Sequence, residues 1–316
     1  MAVNLPASRT PDKVTITHPE KVVFPALGLT KGDVASFYRR IARRLLPHLR
    51  DRPVTLERLP DGVGDGKKHF WQKDIPPQYP DWIPRAELPT EGGKVVRYAL
   101  VNDVDTLLYL VNQGTLTFHV WLSRVGSLDR PDFVLFDLDP GETDFPTLVG
   151  VAQRLHAILR KRRAQDFLKT SGKSGLHVLV PWTAEGGYAA SSAWAKEVAE
   201  QLAAELPELA TLETRKADRG RRVFVDVLHN NRGHHVVPPY VLRATPQASV
   251  STPLSWRELT PELEPKGFNV HTIFDRLARR RDLLAPLLGP GKSPALLTGA
   301  PPTVTLPREQ RPSSLE

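Results

Sequence analysis

The chain has 316 residues, 40% of them hydrophobic and 25% charged, which suits a soluble globular protein with room for one large domain or two intimate subdomains. It contains no cysteine, so disulfides and thiolate metal sites are excluded, in keeping with a reducing cytoplasm. Forty-three Lys and Arg against 35 Asp and Glu give a net charge of +8 that points to a polyanionic partner; no apolar run reaches membrane-spanning length, and Met1 to Thr10 lacks a signal-peptide core.

In chain order, Val14 to Ile16 reads as a short strand. Thr30 and Asp33 have capping-box spacing ahead of a helix with Val34, Phe37, Tyr38, Ile41 and Leu45 on one face, ended by Pro47. Arg52 to Arg58 reads as a strand, Asp61 to Gly66 as a loop, and Pro76 to Pro89 as an irregular proline-rich connection. Between them His69-Phe-Trp-Gln-Lys73 sets an aromatic pair between basic residues, a pattern that serves either core packing or base stacking. Asp103 to Asn112 predicts a helix stopped by Gly114, and Thr115 to Trp121 a strand with Thr117, His119 and Trp121 on its less apolar face.

Phe133-Val-Leu-Phe-Asp-Leu-Asp-Pro140 is an apolar strand that closes on two acids. Alternation puts Asp137 and Asp139 on one face, with Cα atoms roughly 6.6 Å apart. Two carboxylates beside each other at the end of an apolar run are costly unless a cation compensates, so the pair predicts a site for hard divalent ions. Asp144 caps the next helix, whose Arg160-Lys-Arg-Arg163 end suits the helix dipole. Phe167 to Thr170 and Leu176 to Pro181 read as strands around Ser171-Gly-Lys-Ser-Gly175, followed by an alanine-rich helix with Trp194, Val198, Leu202 and Leu206. Val223 to Leu228 is a strand interrupted by Asp226, Val236 to Arg243 is extended, and Ile273, Leu277 and Leu283 mark a last helix before a Pro/Gly-rich tail.

Asp137, Asp139 and Asp226 suit a two-metal site for phosphoryl transfer, in which cations ~3.5 to 4 Å apart activate the attacking oxygen and stabilise the leaving group. The loop Ser171-Gly172-Lys173-Ser174-Gly175, followed by His177, offers N–H groups, hydroxyls, an ammonium and an imidazole to phosphate oxygens. It is not a Walker A loop, because position 168 is leucine where the first glycine belongs. The adjacent His234 and His235 point apart on a strand and receive no metal role.

The ordered series Asp103-x-Asp105, Gln113-Gly114, His119, Asp137-x-Asp139, Thr170-Ser-Gly-x-x-Gly-Leu-His177, Phe224-x-Asp226, Asn231-Arg-Gly233 and Ser251-Thr-Pro-Leu254 resembles the polymerase domain of bacterial ATP-dependent DNA ligase D, of the archaeo-eukaryotic primase superfamily. Asp51-Arg-Pro-Val-Thr55 and Phe70-Trp-Gln-Lys73 are similar too, so the resemblance spans roughly residues 10 to 290. It implies a template-directed nucleotidyltransferase that fills gaps and extends 3′ ends in non-homologous end joining, prefers manganese with magnesium as the alternative, and often inserts ribonucleotides. By position it implies metal binding by Asp137, Asp139 and Asp226 and nucleotide contacts by His119, Ser171, Gly172, Lys173, Ser174, His177, Arg219, Arg243 and Arg52. Lys13 and Lys21 match the grip on a downstream 5′-phosphate, and Phe70 and Trp71 the stacking platform at the template bend. The partners implied are gapped or broken DNA, NTP or dNTP, Ku and an ATP-dependent ligase, in the cytoplasm at the nucleoid.

The expected fold is α+β, an archaeo-eukaryotic primase-like core of mixed, mainly antiparallel sheet flanked by helices. The expected catalytic domain covers 1–290, DNA-facing over about 1–100 and catalytic over about 101–290, with a tail at 291–316. A haloacid-dehalogenase-type phosphatase also ends a strand in Asp-x-Asp but continues Gly-Thr, where this chain has Pro140-Gly141. A non-catalytic DNA-end-binding module and a primase that starts chains de novo are the other readings.

Overall fold

The computed structural model describes residues 13–90 and 92–288, so the predicted tail at 291–316 lies outside the described residues. Thr30 and Asp33 exchange side chain to backbone hydrogen bonds, and helix α1 (Lys31–Leu49) begins where that capping box predicts. Pro47 does not end it. It costs the helix one hydrogen bond, to the Arg43 carbonyl, and the helix continues for two residues so that His48 and Leu49 are buried. Asp103 caps α2 (Val104–Asn112) through the Thr106 N–H, and Asp144 caps α3 (Phe145–Lys161) through the Thr147 N–H. Helices α4 (Gly187–Glu205) and α5 (Ile273–Arg279) complete the set among the described residues.

A small hairpin, β1 (Val22–Phe24) with β2 (Leu29–Thr30), precedes α1. The first large sheet takes the order β13 (His235–Val236), β7 (Thr115–Trp121), β3 (Pro53–Arg58), β6 (Val95–Leu100), β5 (Arg85–Pro89), with β4 (Phe70–Gln72) paired to β3. The second takes the order β11 (Ala210–Thr211), β12 (Val223–Asp226), β8 (Phe133–Asp139), β10 (Leu176–Pro181), β9 (Phe167–Thr170), β14 (Pro253–Leu254). All of these pairings are antiparallel except β11 with β12. The result is the expected α+β fold of mainly antiparallel sheet with helices outside.

Further sequence expectations fail for local reasons. Val14 to Ile16 forms no strand; the segment is tied down by Asn112, whose Oδ1 accepts from the Thr17 N–H at 2.9 Å and whose Nδ2 donates to the Thr15 carbonyl at 3.4 Å. The connection expected over Pro76 to Pro89 ends as strand β5, in which Ala86 and Leu88 alternate inward against β6.

Alternation along β8 explains how the acids reach a cleft. Val134, Phe136 and Leu138 pack with α3 and α4 residues in one core, whereas Phe133 and Leu135 belong to the core shared with the first sheet and α1. Asp137 and Asp139 continue the Phe133/Leu135 face. That face therefore emerges from between the two sheets as it runs toward its C-terminal end. Each large side chain fully buried in those cores contributes about 1.5–3 kcal/mol, so the anchoring of β8 is set mainly by its apolar half.

Candidate active site

The register of the second sheet assembles one row of side chains. Asp137 lies opposite Asp226 on β12 and opposite His177 on β10, and His177 in turn lies opposite Lys169 on β9. Asp139, two residues on, shares the face of Asp137. The side chains of Asp137, Asp139 and Asp226 are 26%, 45% and 20% exposed, so the row opens to solvent at its acidic end.

Backbone and side chains fix each carboxylate. Asp226 accepts the Leu228 N–H at 2.8 Å and Asp139 the Gly141 N–H at 3.1 Å. His177 Nε2 stands 3.4 Å from Asp137, and Arg219 stands 3.6 Å from Asp139. The Arg219 guanidinium is itself held, 3.7 Å over the Phe224 ring and donating to the carbonyls of Glu213 and Thr214. His229 Nε2 lies 3.5 Å from Asp226 and 3.9 Å from Asp137. Burial raises the Asp137 pKa to about 6; His229 and Lys169 oppose that shift, while Asp226 and Asp139 add to it.

Three oxygen donors on one face, one of them reluctant to ionise beside its neighbours, are the donor set a hard divalent cation takes. They lie on adjacent strands, and among the described residues no three His, Cys, Asp or Glu side chains are grouped closely enough to hold a metal ion as they stand. The chemistry of the three oxygen donors fits a hard cation.

The 171–175 loop is a tight hairpin turn laid beside this row. Ser171 Oγ accepts from the N–H groups of Lys173 (3.2 Å) and Gly175 (3.1 Å), so those two donors are turned inward. Gly172 has φ +77°, and a Cβ there would come 2.6 Å from Arg243 Cγ and 2.9 Å from the Ser251 nitrogen. That closeness lets Arg243, itself buried, donate to the Ser171 carbonyl at 2.7 Å. Lys173 and Ser174 face solvent at the tip. Beneath them the fully buried Lys169 donates to Ser251 Oγ at 2.7 Å and to the Thr170 carbonyl at 3.3 Å. Burial pushes its ammonium pKa well down.

The first sheet supplies the opposite wall. His119 on β7 is buried, and its Nε2 lies 3.5 Å from Glu57 on β3. Burial lowers the pKa of Arg243, and the charges of Glu57 on the first sheet and Asp137 on the second oppose that shift. The Phe70/Trp71 pair is split by strand alternation. Trp71 packs edge-on against His119 with ring centroids 4.5 Å apart and is 47% exposed, whereas Phe70 lies beside Arg58 and Lys68. Trp71 thus faces the cleft and Phe70 does not share its surface.

Two residues assigned from the sequence have other partners in the structure. Arg52 is 2% exposed, donates to the Trp121 carbonyl at 3.1 Å and is paired with Asp132, which also takes Arg124. These partners hold its guanidinium inside the protein. Lys13 sits 5.7 Å over the Trp82 ring and does not line the cavity in which Lys21 lies. Lys21 instead shares a cavity of about 180 Å³ with His18 and Lys31, bordered by Asn112, Gln113 and Gly114. Burial and the charge of Lys21 lower the Lys31 pKa, as expected for two ammonium groups held together.

Sequence reading missed Lys31, Glu57, Lys169 and His229. Lys31 carried a signal, since it is the first residue of a capped helix beside the Lys21 turn. His229 carried another, three residues after Asp226. Glu57 and Lys169 sit inside strands with nothing local to mark them.

This architecture is that of an archaeo-eukaryotic primase-like domain. It matches the solved "Polymerase Domain from Mycobacterium tuberculosis Ligase D in complex with DNA" with a TM-score of 0.82 and 30% identity, over 89% of this chain and 100% of that one. The family model for the LigD primase-polymerase domain matches residues 30–284. The multifunctional non-homologous end joining protein LigD of Mycolicibacterium smegmatis is 34% identical over 280 residues, 87% of this chain and 36% of that protein. The bifunctional LigD of Bacillus subtilis is 30% identical over 270 residues, 85% of this chain and 43% of that one. The chain belongs to the LigD primase-polymerase domain family and spans well under half the length of these curated relatives.

Proposed function

We propose that this chain is a template-directed nucleotidyltransferase that fills gaps and extends 3′ ends at DNA breaks, drawing on both ribo- and deoxyribonucleoside triphosphates with a preference for the former. The observation that carries the reading is the row of Asp226, Asp137 and His177 with Asp139 on the same face, fixed by backbone N–H groups and flanked by Arg219 and the 171–175 loop. Asp137, Asp139 and Asp226 would hold two divalent cations, manganese or magnesium. Ions bound there supply positive charge to the attacking 3′-hydroxyl and to the leaving pyrophosphate.

The protein's own groups do the positioning. Arg219, locked on Phe224, keeps a guanidinium at the outer acid, where triphosphate charge would gather. Arg243 pins the loop, so that Lys173 and Ser174 project toward phosphate oxygens. Trp71 offers an exposed ring to a template base. The partners on this reading are gapped or broken DNA with a 5′-phosphate and, from the joining role in the names of its relatives, Ku and an ATP-dependent ligase. Among the described residues no helix is long and apolar enough to cross a membrane.

The Lys21/Lys31 cavity gives this reading a specific test. On a gapped duplex, a 5′-phosphate should accelerate single-nucleotide addition by the wild type, and Lys21→Ala or Lys31→Ala should each remove roughly tenfold of that gain. Lys13→Ala should leave it intact. Primer extension on matched phosphorylated and unphosphorylated gaps, with each sugar supplied separately, measures both points; equal losses on the two substrates would sink the phosphate pocket.

A further inference from the structure

Glu57 is a buried carboxylate, 1% exposed, in the wall of the cleft, and nothing in the chemistry above uses it. On β3 it stands opposite Thr117 of β7 and Trp71 of β4, which makes His119 its diagonal neighbour on the same face. Its two oxygens are divided between two imidazoles: His69 Nε2 lies 3.2 Å from Oε1, and His119 Nε2 lies 3.5 Å from Oε2. Trp71 packs against the His119 ring, and His235 lies 5.3 Å from it, edge-on.

The charges around the pair decide its protonation. Burial alone would raise the Glu57 pKa, but the hydrogen bond from His119 and the nearby charges of Arg243 and Lys173, which do not depend on a proton at His119, hold it well down. Burial lowers the His119 pKa; the Glu57 hydrogen bond opposes this, and Arg243 and His235 reinforce it. The pair is therefore an ionised carboxylate beside a neutral imidazole. A neutral imidazole has one N–H, and the carboxylate has only acceptors. The proton must then sit on Nε2, aimed at Glu57, and Nδ1 must carry a lone pair.

We propose that Glu57 is a positioning residue that locks His119 as its Nε2–H tautomer, so that His119 meets the nucleotide as a hydrogen-bond acceptor for a sugar hydroxyl or a base N–H and not as a donor to phosphate. The inference rests on the nucleotide reading of the cleft for its kinetic consequence, but its chemical core does not. Phosphate contacts are left to Arg219, Lys173 and Ser174, which have N–H or O–H groups to donate.

Two measurements test it. In the first, long-range proton–nitrogen spectra of the imidazole-labelled full chain at pH 7.5, assigned with His119→Ala, should give His119 as Nε2–H; Glu57→Leu should release it to a tautomer mixture, and Glu57→Gln, which keeps an acceptor oxygen, should restore the wild-type pattern. A wild-type His119 found protonated or as Nδ1–H overturns the proposal. In the second, Glu57→Leu should raise the KM for nucleotide roughly tenfold with a smaller change in kcat, and should add no further loss in the His119→Ala background. Equal losses in the two backgrounds overturn it. Should Glu57→Leu fold poorly, the wild type and Glu57→Gln spectra still decide. If the chain adds no nucleotide, the proposed function fails while the tautomer measurement still judges this inference.

Discussion

Asp139→Ala is expected to reduce nucleotide addition by at least about 10³-fold while leaving the affinity for gapped DNA within about twofold. Asp139 is the most exposed of the three acids, and its side chain is held by the Gly141 N–H and Arg219. Its loss removes a cation donor without opening a cavity, so stability should change little. The groups expected to grip DNA, Lys21, Lys31 and Trp71, stand outside the acid row, on α1, its approach and the first sheet. Single-turnover extension beside an equilibrium binding measurement separates the two effects. Extension within tenfold of wild type would remove Asp139 from the reaction centre.

Asp137→Asn should behave in the opposite sense on stability. Folding raises the Asp137 pKa from 3.8 to about 6, so between those values the folded protein binds more protons than the unfolded chain. The wild type should lose stability as pH rises through that window and level off above it, with nothing lost below about pH 4. The full shift corresponds to about 3 kcal/mol, and water at the open side of the carboxylate reduces it. In chelator at pH 7.5, Asp137→Asn should therefore be more stable than wild type by about 1–2 kcal/mol, and the gap should close below pH 4. Added manganese should stabilise the wild type and hardly affect the variant, which reverses the order. Thermal unfolding across pH, with and without metal, reads all of this. A variant less stable than wild type in chelator would mean that Asp137 is already compensated within the protein.

Local signals in the sequence went a long way. Thr30, Asp103 and Asp144 cap helices where their spacing predicts, and the apolar runs ending in Asp139 and Asp226 are strands whose acids lie on one sheet. Alternation alone assigned Asp137 and Asp139 to one face. Which acid Asp226 would stand beside was not legible, because that depends on the register between strands whose paired acids are 89 residues apart (226 − 137); it proves to be Asp137.

The failures share a cause. Arg52 matched a family position, yet its neighbours Asp132 and Phe133 come from a distant segment, and burial among them turns a candidate phosphate ligand into a core ion pair. Lys13 and Lys31 are equally basic in sequence, and only the fold tells which one closes a cavity with Lys21. Glu57 looked like one polar residue in a strand until β4 and β7 brought two imidazoles to its oxygens. Propensity and spacing describe what a segment does alone; these roles are made by what the other segments place beside it.

The most direct test of the central claim is extension of a primer by the wild type, in manganese, on four gapped duplexes that differ only in the first template base, each offered all four nucleotides singly. The account predicts addition of the complementary nucleotide on every template. Addition that ignores the template, or none by folded protein that still binds the DNA, would contradict it and leave a DNA-end-binding module in its place.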